Sequence, residues 1–357
     1  MTLQLLPTDV QTMLREGLRR WASERDVRHA EDFAPTWRFV AEQGWLMAGM
    51  AEDLGGLGGG AFDTAIIAEE LGRALVRAPF VEIGGVAATL LAAVSPDAVA
   101  DILTGESRPL LAHDEPAARG DRTWVETVAT EQGGQWRLTG RKTGLIGAVH
   151  ADQLIVSARI ADKGVALFQL PAADAPLRTF TTFDDRSGGE VRFDRTPAAL
   201  LAEPASAGPA LERALDHGLI LEAAETLGAM ERAFEMTRDY LLTRQQYGQF
   251  LADFQALRHR LADMYIELEQ ARSILLRGLG ALDADEPAER AALAAAVKAR
   301  VAQAALFVCG NAIQLHGGIG VTEEYPIGHF FKRALAFDQR HGGGARQVER
   351  YAELTAV

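Results

Sequence analysis

Near the end of the chain, residues 339–347 read QRHGGGARQ. Histidine is a competent general base near neutral pH, and three successive glycines let backbone turn freely or approach another molecule closely. His341 therefore admits three readings: a base in an active-site loop, a plain turn, or the remains of a site that has lost its chemistry. Two further clusters combine polar side chains with glycines. TRQQYGQFLADFQALRHRLADM (243–264) carries Arg244, Gln246, Tyr247 and Gln255, and AIQLHGGIGVTEEYPIGHFFKR (312–333) carries Gln314, Gly317 and Gly318. Taken singly, Arg244 reads as a surface arginine and the glycine pair as a helix-ending turn.

The commoner chemistries lack their residues. The eight histidines are scattered, with no HExxH and no Cys/His cluster for a metal, and no G-x-S-x-G elbow marks a serine hydrolase. The single cysteine, Cys309, lies in the apolar run ALFVCGNAI and reads as an inert buried thiol. A formal net charge of -13 argues against a nucleic-acid surface. The N-terminal stretch has no signal-peptide pattern, and no apolar run is read as long enough to span a bilayer, so a cytoplasmic protein away from the membrane is expected.

The elements that must position these residues fall into three regions. Residues 1–108 are expected to be a helical domain: DVQTMLREGLRRWASE sets Val10, Met13, Leu14 and Leu18 on one helical face, and FDTAIIAEELGRAL does the same with Ile66, Ile67, Leu71 and Leu75. Between them EDLGGLGGG is a loop. It lacks the preceding strand that a dinucleotide-binding glycine loop requires. Residues 109–205 carry the short β-rich runs RTWVETVATE, QWRLTGRK, QLIVSARI, GVALFQL and GEVRFDR, which argue for an antiparallel barrel or sandwich. EPASAGPA (203–210) reads as a linker. Residues 206–357 are helical again, with Phe254, Leu257, Leu261, Met264, Leu268, Ala271 and Leu275 forming a bundle stripe, and Leu293, Val297, Val301, Ala304 and Val308 a second one after Pro287.

This order, together with EQGW, EDLGGLGGG, EELGRAL, DEPAARGD, LTGRK and the two polar clusters, resembles the acyl-CoA dehydrogenase family over almost the whole chain. The resemblance implies an α+β fold: an N-terminal helical domain, a middle antiparallel β-domain and a C-terminal four-helix bundle. It implies FAD as cofactor, an acyl-CoA as substrate, dehydrogenation across Cα–Cβ, and an electron-transfer flavoprotein as acceptor. By the same resemblance Arg244, Gln246, Tyr247, Gln255 and Gln314, with Gly317 and Gly318, reach across an interface to the ADP half of a neighbour's FAD.

The family's catalytic side is altered here. The glutamate base falls on His341, followed by glycines. The alternative base position, at the start of the first bundle helix, falls on Gly218 and Leu219, with Asp216 and Glu222 read as lying on other faces. The flavin-facing Trp-Ile-Thr is replaced within TGLIG (143–147), and DEPAARGD lacks the family's serine. The expectation is a subunit with no catalytic residue of its own, paired in an α2β2 assembly with a homologous catalytic subunit, like the actinobacterial enzymes that degrade sterol side chains. Two alternatives stand beside it: a self-sufficient homotetramer with a non-standard base such as His341, and a flavin-free scaffold or acyl-CoA-binding protein.

Overall fold

The computed structural model describes residues 7–23, 25, 32–284 and 286–356. In chain order the elements are helices α1 (Asp9–Ser23), α2 (Phe33–Glu42), α3 (Ala61–Arg73), α4 (Ala88–Val94) and α5 (Val99–Leu103), then strands β1 (Pro109–Ala112), β2 (Val128–Gln132), β3 (Gln135–Lys142), β4 (Gln153–Ile160), β5 (Gly164–Pro171), β6 (Leu177–Thr181) and β7 (Ser187–Ala202). There follow α6 (Pro204–Thr243), the two short strands β8 (Gln245–Gln246) and β9 (Gln249–Phe250), α7 (Gln255–Leu282), α8 (Pro287–His316), α9 (Ile327–Gln339) and α10 (Gly343–Thr355). The helix–strand–helix order is the expected one. By contact the chain forms two compact units: the described residues of Met1–Glu31 with Ala61–Val76 and Leu219–Val357, and Asp32–Gly60 with Arg77–Gly218.

In the second unit the strands close on themselves. β4 pairs with β2, β2 with β3, β3 with β7, β7 with β5, and β5 with β4 again, so the region is a barrel. Closure removes the edge strands that would otherwise expose unpaired backbone groups. Most pairings are antiparallel, but β1 and β2 both run parallel to β4. β1 and β6 carry no strand signal that the sequence reading detected: β1 has four residues, and β6 is mostly exposed, so its apolar residues do not alternate with a core.

EPASAGPA is not a linker. It forms the first two turns of α6, because Pro204 occupies a position whose N–H has no helical partner in any case and alanines fill the turn. The apolar face expected on α1 also differs. Val10 and Met13 are 71% exposed, whereas Gln11 and Leu18 are buried. The reason is electrostatic: Arg15 on the buried side meets Glu69 and Glu70 at 3.0 Å, and Gln11 lies against Asp63. Helix α8, continued by a 3-10 turn to Val321, is long and apolar enough by length and composition to cross a membrane, contrary to the reading of the sequence. Here it is the core helix of the first unit, packed against α7, α9 and α10.

The first unit is organised by the crossing of α3 and α6. A Cβ on Gly72 would stand 1.8 Å from the carbonyl oxygen of Glu225, and one on Gly228 1.8 Å from the carbonyl oxygen of Glu69. The two helices therefore meet backbone to backbone at two reciprocal points, where no rotamer change could relieve an added methyl group. Gly72→Ala and Gly228→Ala should each cost on the order of 3 kcal/mol in denaturant unfolding. Gly17→Ala, inside α1 with nothing within 4 Å, should be stabilising by roughly 0.5–1 kcal/mol.

Candidate functional site

The residues singled out for cofactor contact lie at the ends of bundle helices. Helix α6 stops at Thr243, and the chain turns through the β8–β9 hairpin, whose two central residues, Tyr247 and Gly248, have φ of +55° and +81°. Positive φ at both positions matches the tight turn that follows strand twist. Arg244 anchors this hairpin through its backbone: its N–H donates to Tyr240 O and its carbonyl accepts from Leu251 N, both at 2.9 Å. Its guanidinium is exposed and makes no ion pair with the described residues. Gln246, Tyr247, Gln255, Gln314, Gly317 and Gly318 are exposed as well, and Tyr247 reaches 94%.

An aromatic clamp brings the two polar clusters together. Tyr240, one turn before Arg244, stacks on His316 at 4.5 Å between ring centroids and 27° between planes. Tyr325 tilts against the same imidazole at 5.0 Å between centroids. His316 ends α8, two residues after Gln314 and immediately before Gly317, whose φ of +66° breaks the helix. At the hairpin tip the ring of Tyr247 meets Phe254, the residue before Gln255, edge-on at 6.4 Å. The sequence reading picked out the cluster but not its clamp.

The base position is occupied differently. His341 sits in left-handed backbone (φ +56°, ψ +32°) within a 3-10 turn between α9 and α10, and Gln347 Nε2 donates to its carbonyl at 2.6 Å. Its Nε2 lies 2.9 Å from Glu222 Oε2, while Arg340 donates to Glu222 Oε1. Glu222 was expected on another face of α6 from Gly218. The helix corrects this, since residues four apart share a face. Glu222 is buried; burial pushes its carboxyl up, but Arg340 and then His341 overcome that and hold it far below the usual carboxylate range. Nearby Lys298, fully buried, donates to Phe337 O and lies 3.5 Å over the Phe337 ring.

In the other unit, the segment matching the flavin-facing wall is folded inward. Leu145 and Ile146 are buried, and the N–H groups of Leu145 and Gly147 are taken by Gly189 O at 3.1 Å and Ser187 O at 2.7 Å on β7. DEPAARGD is pinned from beneath: Lys142 Nζ donates to Glu115 Oε1 at 2.7 Å, to His113 O at 3.0 Å and to Ser157 Oγ at 3.0 Å. Burial pulls Lys142 down to about 8 although Glu115 opposes it. At the alternative base position, a Cβ on Gly218 would lie 2.3 Å from Val86 Cγ2, so no acidic side chain fits there as packed. His217, beside it, holds Gly85 O and Thr89 Oγ1 through Nδ1.

Comparison with known proteins bears on what this arrangement is. The sequence profile described as acyl-CoA dehydrogenase, C-terminal domain, matches residues 209–353, and that of the acyl-CoA dehydrogenase N-terminal domain matches residues 4–104. Acyl-CoA dehydrogenase IpdE2 of Mycobacterium tuberculosis (strain ATCC 25618 / H37Rv) is 33% identical over 84% of this chain and 79% of its own. The chain belongs to the acyl-CoA dehydrogenase family. Other acyl-CoA dehydrogenases agree: the probable acyl-CoA dehydrogenase YngJ of Bacillus subtilis (strain 168) is 27% identical over 96% of both chains. A solved structure described as the Tcur3481-Tcur3483 steroid ACAD, G363A variant, superposes with a TM-score of 0.87 at 30% identity over 98% of both chains.

The pairing of Glu222 has a measurable consequence. A carboxylate whose folded pKa is depressed contributes stability that is fully present above its unfolded value, 4.5, and is lost as pH falls toward the folded one. Glu222→Gln should therefore lose about 3–5 kcal/mol at pH 7, and its deficit against wild type should shrink progressively below pH 4.5 in denaturant titrations.

Proposed function

We propose that this chain is one subunit of a hetero-oligomeric, FAD-dependent acyl-CoA dehydrogenase of α2β2 type, acting in the cytoplasm on an acyl-CoA thioester. In this reading a homologous catalytic partner supplies the base and the flavin-ring contacts, and an electron-transfer flavoprotein accepts the electrons. A sterol side chain as the acyl group is supported by the relative described as a steroid ACAD.

One contrast carries the reading. The residues for the ADP half of the cofactor are exposed, whereas the carboxylate beside the base position is buried and paired. On the ADP side the donor set fits: Arg244 offers a guanidinium fork for the pyrophosphate, Gln246, Gln255 and Gln314 offer carboxamides for ribose and adenine, and nothing stands within 4 Å of a Cβ built on Gly317 or Gly318. Bound FAD would supply the acceptor for the hydride removed from the acyl chain. On the reaction side the carboxylate nearest the base position, Glu222, is taken by Arg340 and His341, and in the turn 143–147 the N–H groups of Leu145 and Gly147 go to β7. Among the described residues the carboxylate beside the base position is thus already paired, and in this reading the α-proton goes to a partner carboxylate.

A second reading is favoured by one distance. A carboxylate 2.9 Å from an imidazole nitrogen is also the arrangement that orients a histidine base, as a self-sufficient homotetramer would need. His341→Ala separates the two. The partner-base reading expects flavin reduction within a few-fold of wild type, and a histidine base expects a loss of about 10²–10⁴-fold. In the assembled complex, Arg244→Ala should lower FAD affinity by about 2–3 kcal/mol while leaving this chain's melting temperature unchanged. Equal flavin content in the variant complex would make Arg244 an ordinary surface residue.

A further inference from the structure

We infer that His316 is a positioning residue of the nucleotide site, one whose Nε2 accepts a hydrogen bond from a ribose hydroxyl or the adenine amino group of the bound ADP moiety. The inference rests on the reading of Arg244 and Gln314 as cofactor contacts and adds to it a residue, an atom and a polarity.

The imidazole is almost fully enclosed, at 3% exposure. Nδ1 lies 2.8 Å from Ala312 O. A carbonyl only accepts, so the ring proton is on Nδ1 and Nε2 carries a bare lone pair. Burial lowers the ring's pKa, which keeps it neutral. Nε2 is buried and has no partner among the described residues, and a buried polar atom left unpaired requires a physical reason. Tyr240 stacks on the ring and Tyr325 tilts against it. The next two residues, Gly317 and Gly318, are exposed, and nothing stands within 4 Å of a Cβ built on either.

The polarity then divides the ligand. Phosphate oxygens only accept, and they suit Arg244. A bare imidazole nitrogen also only accepts, and it needs a donor, which an ADP moiety carries on its ribose and on its adenine amino group. The clamp supplies the spacing between the two contacts. Tyr240 joins the imidazole to the helix end that carries Arg244, so the cation and the acceptor are held at one separation.

The test uses the assembled complex with its flavin removed, [15N]histidine in this chain and ADP as the probe, the His316 signals being assigned by their loss in His316→Phe. Adding ADP should shift the Nε2 resonance in the direction of an accepted hydrogen bond and leave Nδ1 in place. His316→Phe keeps the aromatic stack and removes the acceptor. It should weaken ADP binding by roughly tenfold with an unchanged melting temperature, which a purely packing role would not produce. Repeating the titration with 2′-deoxy-ADP and with inosine diphosphate tells which donor is used, because the analogue lacking that donor should bind wild type and His316→Phe equally. ADP binding that depends on Arg244 but leaves Nε2 unmoved overturns the assignment of His316 alone. Absence of Arg244-dependent ADP binding overturns the nucleotide site itself.

Discussion

Where α3 crosses α6, the carbonyls of Glu69 and Glu225 occupy the space that side chains at Gly228 and Gly72 would fill. Backbone contact this close forces the neighbouring side chains of α3 into the interior, and two of them are acids. Glu69 and Glu70 are buried, and a buried carboxylate survives only with partners. Arg15 and Arg19 reach them from α1 and Arg272 from α7, all at 3.0 Å. From the other side, buried Arg333 on α9 meets Glu225 at 2.7 Å. The crossing thus fixes α1, α7 and α9 around α6 by ion pairs whose carboxylates are buried.

The site inherits this frame. Helix α6 runs on from the crossing to Tyr240 and Arg244, and α9, held by Arg333, runs on to Arg340 and His341. One end of the frame is left open and polar, with an exposed arginine and exposed glycines. At the other end Glu222 takes both side chains offered by the turn after α9, Arg340 and His341. The same bundle therefore presents exposed polar groups at one end and a buried, paired carboxylate at the other.

How much of this could be read from residues alone follows from the range of each interaction. Periodicity is local, so the α3 and α7 stripes and most of the barrel strands were legible, with QWRLTGRK and QLIVSARI matching β3 and β4 residue for residue. The α1 face was misjudged because its burial is decided by Glu69 and Glu70, more than fifty residues away. The two polar clusters were legible as motifs, yet the clamp that joins them depends on Tyr240, His316 and Tyr325 meeting in space. Glu222 and His341 are 119 residues apart, and only the packing of α9 on α6 makes them a pair. Gly218 looked like a missing base; contact with Val86 shows it to be a packing requirement.

The central claim is that this chain holds one side of a shared FAD site and no complete site of its own. Flavin stoichiometry on mass-defined species tests it most directly, with native mass spectrometry and flavin absorbance measured on the chain alone and on its assembly with a co-expressed catalytic homologue. The account predicts a colourless chain by itself and one FAD for each pair of unlike chains in the assembly. One tightly held FAD per copy in a homo-oligomer of this chain would contradict it.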